Sequence, residues 1–204
     1  MFEFLKQLTN PESIIHYGGL ALLLFVVFAE TGLLIGFFLP GDNLIFLSGI
    51  ICVLSPEILG VDLWELILLL SLAAILGNCA GYAFGYKVGS ALFSKKDSLI
   101  FRKKHLELTR EYYERNGGKT LIFGRFIPII RTFAPIFAGI VKIDFKKFMF
   151  YNIAGALAWI GTLASLGYYL GTYTWVQQHL KLIFISLIII TLVPVVIPYL
   201  KRKK

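Results

Sequence analysis

Cysteine, histidine and charge are all scarce in this chain, and each scarcity removes a class of protein. Only Cys52 and Cys79 are available for disulfides, and both lie inside apolar runs, so no disulfide framework is expected. His16, His105 and His179 stand at the edges of apolar blocks or in a charged loop. Neither they nor the cysteines have metal-ligand spacing, so the sequence predicts no metal site and no cofactor. A membrane phosphatase normally needs a nucleophile or general acid such as histidine, and none is suitably placed, so no enzyme is expected. Charged residues make up 16% of the chain, and between Asn43 and Tyr86 there is no lysine or arginine. The N-terminal stretch MFEFLKQLTNPES lacks a basic region leading into a short apolar core with a small-residue cleavage site, so no cleaved signal is expected.

What fills the chain is hydrophobic: 57% of the 204 residues, with a mean hydropathy of +0.77. The apolar residues fall in blocks of approximately Ile14 to Leu54, Leu63 to Leu92, Thr120 to Val141, Phe148 to Leu170 and Leu180 to Leu200. Runs such as Leu44 to Leu54 are apolar on nearly every face, whereas a soluble core would space its apolar residues at helix or strand periods. This is the pattern of an all-α polytopic membrane protein. The net charge of +8 does not point to nucleic acid, because the cations are segregated. Eight lie between Lys95 and Lys119, and Lys201, Arg202, Lys203 and Lys204 close the chain, as the positive-inside rule would place them.

Charge also orders the blocks. With the basic loop Lys95 to Lys119 in the cytoplasm, the segment holding Glu57, Asp62 and Glu65 lies outside and the second block crosses inward. If Thr120 to Val141 crossed as well, Lys142, Lys146 and Lys147 and then the terminal KRKK would lie outside. A segment that enters and leaves on the cytoplasmic side avoids both violations, and Pro128 and Pro135 are suited to breaking it into two arms. Lys181 is the exception, placed where its stem could snorkel. The first block admits the same reading. Ile14 to Phe28 crosses outward, and the stretch from Glu30 to Leu54 dips in from outside and returns, with Pro40 and Gly41 at its turn.

The expected architecture is an inverted repeat with two re-entrant helical hairpins of opposite orientation. Residues 1–92 form the first repeat with a re-entrant segment at about 30–54, 93–119 a cytoplasmic basic connector, and 120–204 the second repeat with a re-entrant segment at about 120–141. Internal echoes agree: FLSGI (Phe46 to Ile50) with FAGI (Phe137 to Ile140), and GYKVG (Gly85 to Gly89) with GYYLG (Gly167 to Gly171). Inverted repeats with broken elements are a transporter architecture. The multi-pass chain then sits in the cytoplasmic membrane with its C-terminus in the cytoplasm. Whether it forms a homo-oligomer is left open.

The sequence resembles the DedA family of bacterial membrane proteins, whose core domain is shared with the VTT (SNARE-associated) proteins of eukaryotes. The matching pieces are ETG and FLPGD within Glu30 to Asp42, GN with the glycine series from Gly77 to Gly89, and GRFIPIIRTFAPIFAG from Gly124 to Gly139. The last is the most specific. Where many members have a His-Gly pair before that motif, this chain reads Asn116-Gly117-Gly118, so no histidine role carries over. The resemblance implies a re-entrant inverted-repeat fold. It also implies a transporter (flippase) that moves polyprenyl phosphate, particularly undecaprenyl phosphate, across the membrane with dependence on proton motive force.

Arg125 and Arg131 are then candidates to bind the phosphate of the polyprenyl phosphate or another anionic lipid, since a guanidinium stays charged and matches phosphate oxygens in bidentate fashion. A competing reading makes them fixed partners of Glu30 and Asp42, or lets them snorkel to the interface. Glu30 and Asp42 in an apolar arm are candidates for proton coupling, because burial and a neighbouring cation move a carboxyl pKa in opposite directions. Asp42 could instead cap a short helix. Gly77, Gly81, Gly85 and Gly89 form a helix-packing face, and Asn78 is expected to bond a neighbouring helix or re-entrant backbone. Tyr168, Tyr169, Tyr173 and Trp175 form an interfacial belt. The rival transport classes are a small-cation or drug antiporter using the carboxylates alone, and a passive phospholipid scramblase.

Overall fold

The computed structural model describes residues 11–33, 41–94, 125, 128–179 and 182–183; among them the chain forms helices joined by short turns, and no strand. The helices are α1 (Pro11–Gly32), α2 (Gly41–Leu54), α3 (Pro56–Leu59), α4 (Leu63–Ser94), α5 (Pro128–Ile140), α6 (Phe145–Gly171) and α7 (Thr174–Gln178). Pro40, the connector beyond Ser94 and most of the last apolar block lie outside the described residues.

Local chemistry sets the ends of the long helices. Glu65 reaches back to accept from the Asp62 amide at 3.2 Å, a capping-box arrangement that opens α4. Asp144 accepts from the Lys147 amide at 2.9 Å and so caps α6. Helix α5 closes with the Ile143 amide donating to the Ala138 carbonyl at 3.0 Å and the Lys142 amide to Gly139 at 3.1 Å. This is a Schellman closure, with Lys142 at φ 54 in the left-handed position.

Length and exposure identify the solvent. Helices α4, with 32 residues, and α6, with 27, exceed the roughly 20 residues needed to cross hydrocarbon. Along α4, Trp64, Leu68, Leu72 and Leu76 recur every fourth residue and each is more than half exposed. Glu30, Asn43, Ser48, Ser71, Asn78, Arg125, Arg131 and Asn152 are buried. Apolar stripes outward and polar groups inward are the inverse of a water-soluble helical protein, and fit a lipid surround.

Helices α2 and α5 are short, with 14 and 13 residues. Helix α1 is bent at Gly19, where φ is 53, leaving an apolar piece Gly19–Gly32. That helix continues through Gly32, so Glu30 lies in its last turn and not on a separate dipping arm that begins there. Pro128 opens α5 and Pro135 lies inside it. The described part of the arginine segment is thus one helix from Pro128 onward, since a proline at the first position costs no helix hydrogen bond.

The chain divides into two compact units, one of residues 1–23, 40–66 and 162–204, the other of residues 24–39 and 67–161. Each draws on both halves of the sequence, and each contains one short helix crossed tightly on a long one. In the first unit a Cβ on Gly49 of α2 would overlap the Ala164 carbonyl of α6, and one on Gly167 would overlap the Phe46 carbonyl. In the second, a Cβ on Gly139 of α5 would overlap the Tyr82 carbonyl of α4, and one on Gly85 would overlap the Ile136 carbonyl. The contact is reciprocal and has the same spacing in both units. Its four segments include the FLSGI, FAGI, GYKVG and GYYLG echoes, which are therefore packing partners.

Candidate functional site

In the second unit, α1, α4, α5 and α6 carry a cluster of buried polar side chains. Arg131 comes from the first turn of α5 and pairs with Glu30 of α1 through Nη2 and Oε1, both residues being 3% exposed or less. The Arg131 guanidinium also lies over the Trp159 ring of α6, 4.5 Å from its centroid. Trp159 is itself buried, so this cation–π contact is made away from water, where it is strongest.

Arg125 is held differently. Its Nη2 donates to the backbone carbonyl of Asn152 at 3.0 Å and to the Asn152 side-chain oxygen. The Asn152 amide nitrogen in turn donates to the Ile75 carbonyl at 3.2 Å and to Cys79 Sγ at 3.7 Å, both on α4. Asn78 completes the group. With its nitrogen toward α6 it donates to Asn152 Oδ1 at 2.9 Å; turned over, its oxygen accepts from Arg125 and its nitrogen donates to the Thr31 carbonyl at 3.1 Å. The second orientation removes a clash of two donors at Arg125 Nη2, which can only donate, and sets Asn78 Oδ1 beside Asn152 Oδ1 at 2.9 Å, so that both oxygens converge on that one nitrogen.

These groups border a small cavity lined by Asn78, Arg125, Arg131, Ala134, Pro135, Phe148 and Asn152. It holds about 10 Å³ of water-accessible space, close to what one water molecule requires. Arg125 Nη1 is buried with no hydrogen-bond partner among the described residues. Pro135 cannot donate to the Arg131 carbonyl one turn back, so the helix wall is loosened at the cavity. Below it, Tyr82, Ala134, Ala138 and Phe148 form an apolar cluster. The Tyr82 hydroxyl donates to the Ile143 carbonyl at 2.6 Å, tying the end of α5 to α4.

The structure thus gathers Glu30, Asn78, Arg125 and Arg131 from the residues singled out in the sequence. Asp42 belongs to the other unit, in the first turn of α2, where a helix N-terminus favours an anion. Gly41 begins the same helix. The glycine series serves two neighbours: Gly77 meets Thr31 and Phe28 of α1, Gly85 meets α5, and Gly81 makes ordinary contacts with both. Gly89 also lies in α4. Sequence reasoning missed Asn152 and Trp159. Their signal was present, since they are two turns apart on one face of α6 and Asn152 is a lone amide in an apolar block.

Residues 39–169 match the model of the VTT domain. The chain is 40% identical over 195 residues to Protein DedA of Escherichia coli K12, covering 95% of this chain and 88% of that one. It is 34% identical over 167 residues to the inner membrane protein YqjA of the same organism, covering 81% and 73%. An uncharacterized membrane protein of Mycobacterium leprae is 32% identical over 188 residues, covering 92% and 82%. No solved structure matches the chain.

Proposed function

The chain belongs to the VTT-domain family of DedA-like membrane proteins, and we propose that it is a flippase that moves a polyprenyl phosphate carrier lipid between leaflets. Undecaprenyl phosphate is the substrate that the family resemblance suggests. The observation that carries this reading is Arg125, a guanidinium 3% exposed that borders a cavity, held by neutral amide and carbonyl oxygens, with Nη1 without a partner among the described residues. Burying a cation costs several kcal/mol unless it is compensated, and a phosphate oxygen accepting from Nη1 would supply the compensation as a charge-assisted hydrogen bond. A small-cation antiporter fits less well, because a cation entering this cavity would face two guanidiniums.

The cavity is too small for a phosphate group in the state described, so binding requires it to open. Glu30 supplies the means. While ionised it occupies Arg131; once protonated it releases Arg131 to the lipid phosphate, and the exchange links phosphate binding to proton uptake. Asp42 is a second carboxyl in this scheme or an anion at a helix start. The membrane arrangement we favour has α2 and α5 as parts of re-entrant hairpins in an inverted repeat, with the C-terminus cytoplasmic. Their shortness and the matching glycine contacts in the two units support it.

The test is reconstitution in liposomes, following the sidedness of a polyprenyl phosphate with and without an imposed pH gradient. Arg125→Lys and Arg131→Lys keep the charge and lose the planar fork, so transport should fall sharply while melting in detergent stays near the parent's. Equal transport by equally stable variants would overturn the phosphate reading. Transport by the parent that ignores the gradient would make the protein a passive scramblase.

A further inference from the structure

Two buried guanidiniums border one cavity, and they are held by opposite chemistry. Arg131 has a carboxylate, Glu30. Arg125 has the oxygens of Asn152 and the amide of Asn78, and no carboxylate among the described residues. We infer that Asn152, assisted by Asn78, is a positioning residue that aims Arg125 at the cavity while leaving its charge uncompensated. Arg125 is then the standing anion anchor, and Arg131 the anchor that Glu30 gates. This rests on the phosphate reading above and assigns each arginine a separate part in it.

The geometry makes neutrality the deciding property of residue 152. Its amide nitrogen is committed to the Ile75 carbonyl and Cys79 sulfur of α4, which turns its oxygen toward Arg125 and fixes the amide's sense. Backbone and side-chain oxygens of the same residue then hold one nitrogen, Nη2, so the guanidinium is clamped at one corner. Its other terminal nitrogen, Nη1, is left without a partner among the described residues. Aspartate has nearly the same shape as asparagine. At this position, however, it would form a permanent ion pair with Arg125 and compete with any incoming phosphate. Asparagine orients the cation without satisfying it.

The full chain in detergent, melted with and without farnesyl phosphate, tests this, with farnesol as the uncharged control. The parent should melt higher with farnesyl phosphate and be unmoved by farnesol. Asn152→Asp should lose that upward shift and lower liposome transport by roughly tenfold or more, the worth of one charge-assisted contact. Arg125→Gln should melt without ligand at or above the parent's temperature, because it removes a buried charge that no carboxylate among the described residues meets, and should also lose the shift. An Asn152 that is merely structural would lower the melting temperature of the aspartate variant and leave the shift intact, which overturns the proposal. So does an Arg125→Gln protein that melts well below the parent, since that cation would then have had a charge partner. The second variant keeps the question decidable if Asn152→Asp does not fold. A parent that ignores farnesyl phosphate overturns the phosphate reading instead, while Arg125→Gln melting still decides whether Arg125 is uncompensated.

Discussion

Arg131 lies over the face of Trp159, with its guanidinium carbon 4.5 Å from the ring centroid. The contact supports the guanidinium independently of Glu30, because the negative face of an indole attracts a cation without carrying a charge of its own. Trp159→Phe and Trp159→Leu both shrink the side chain, but only phenylalanine retains a π face. The phenylalanine variant should be the more stable of the two by about 1 kcal/mol, within the range for a desolvated cation–π contact, and should keep more transport. Equal melting temperatures would reduce Trp159 to a space-filler.

The ion pair between Glu30 and Arg131 should appear in a double-mutant cycle. Glu30→Gln leaves Arg131 without this carboxylate, at a cost of about 3–5 kcal/mol, and Arg131→Gln takes this guanidinium from the carboxylate at a similar cost. The double variant should recover most of the loss, as measured by denaturation in detergent. Glu30→Gln should also weaken the dependence of transport on a pH gradient more than it weakens lipid binding. Unchanged gradient dependence would move the coupling role to Asp42 or remove it.

Glycine substitutions should divide sharply by position. Gly49→Ala and Gly139→Ala each drive a methyl group into a backbone carbonyl of the long helix crossed there, and backbone cannot step aside as a flexible side chain can. Each should cost about 1–3 kcal/mol or more. Gly161→Ala, within α6, meets nothing within 4 Å, and should gain up to about 1 kcal/mol from helix propensity. Thermal melts of the three proteins provide the comparison, and similar losses at all three would mean that the close crossings are not the cause.

Membrane topology is open to a labelling test. Single cysteines at Thr120 and Lys142 should both react with an impermeant reagent from the cytoplasmic side, because the proposed re-entrant arrangement puts both ends of the segment there. Lys142 is exposed at the end of α5, so its label reports access and not burial. Reaction of the Lys142→Cys protein only from outside would make the segment a crossing helix.

Membrane class, the positions of the apolar blocks, and the interest of Glu30, Asn78, Arg125 and Arg131 were all legible in the sequence. Hydropathy and charge segregation are local properties, readable in a window of about 20 residues. A charged side chain inside such a window stands out because hydrocarbon penalises it wherever its partner comes from. The partners themselves were not legible. Glu30 and Arg131 are separated by most of the arginine-free half of the chain and the basic loop, and either acid was open to either arginine. Only the packing of α1, α4, α5 and α6 joined Glu30 to Arg131 and gave Arg125 to Asn152. The glycine series likewise read as one face, yet α4 turns Gly77 toward α1 and Gly85 toward α5. Which groups meet across crossing helices depends on register and on how closely the backbones approach, and those are set by contacts between residues remote in sequence.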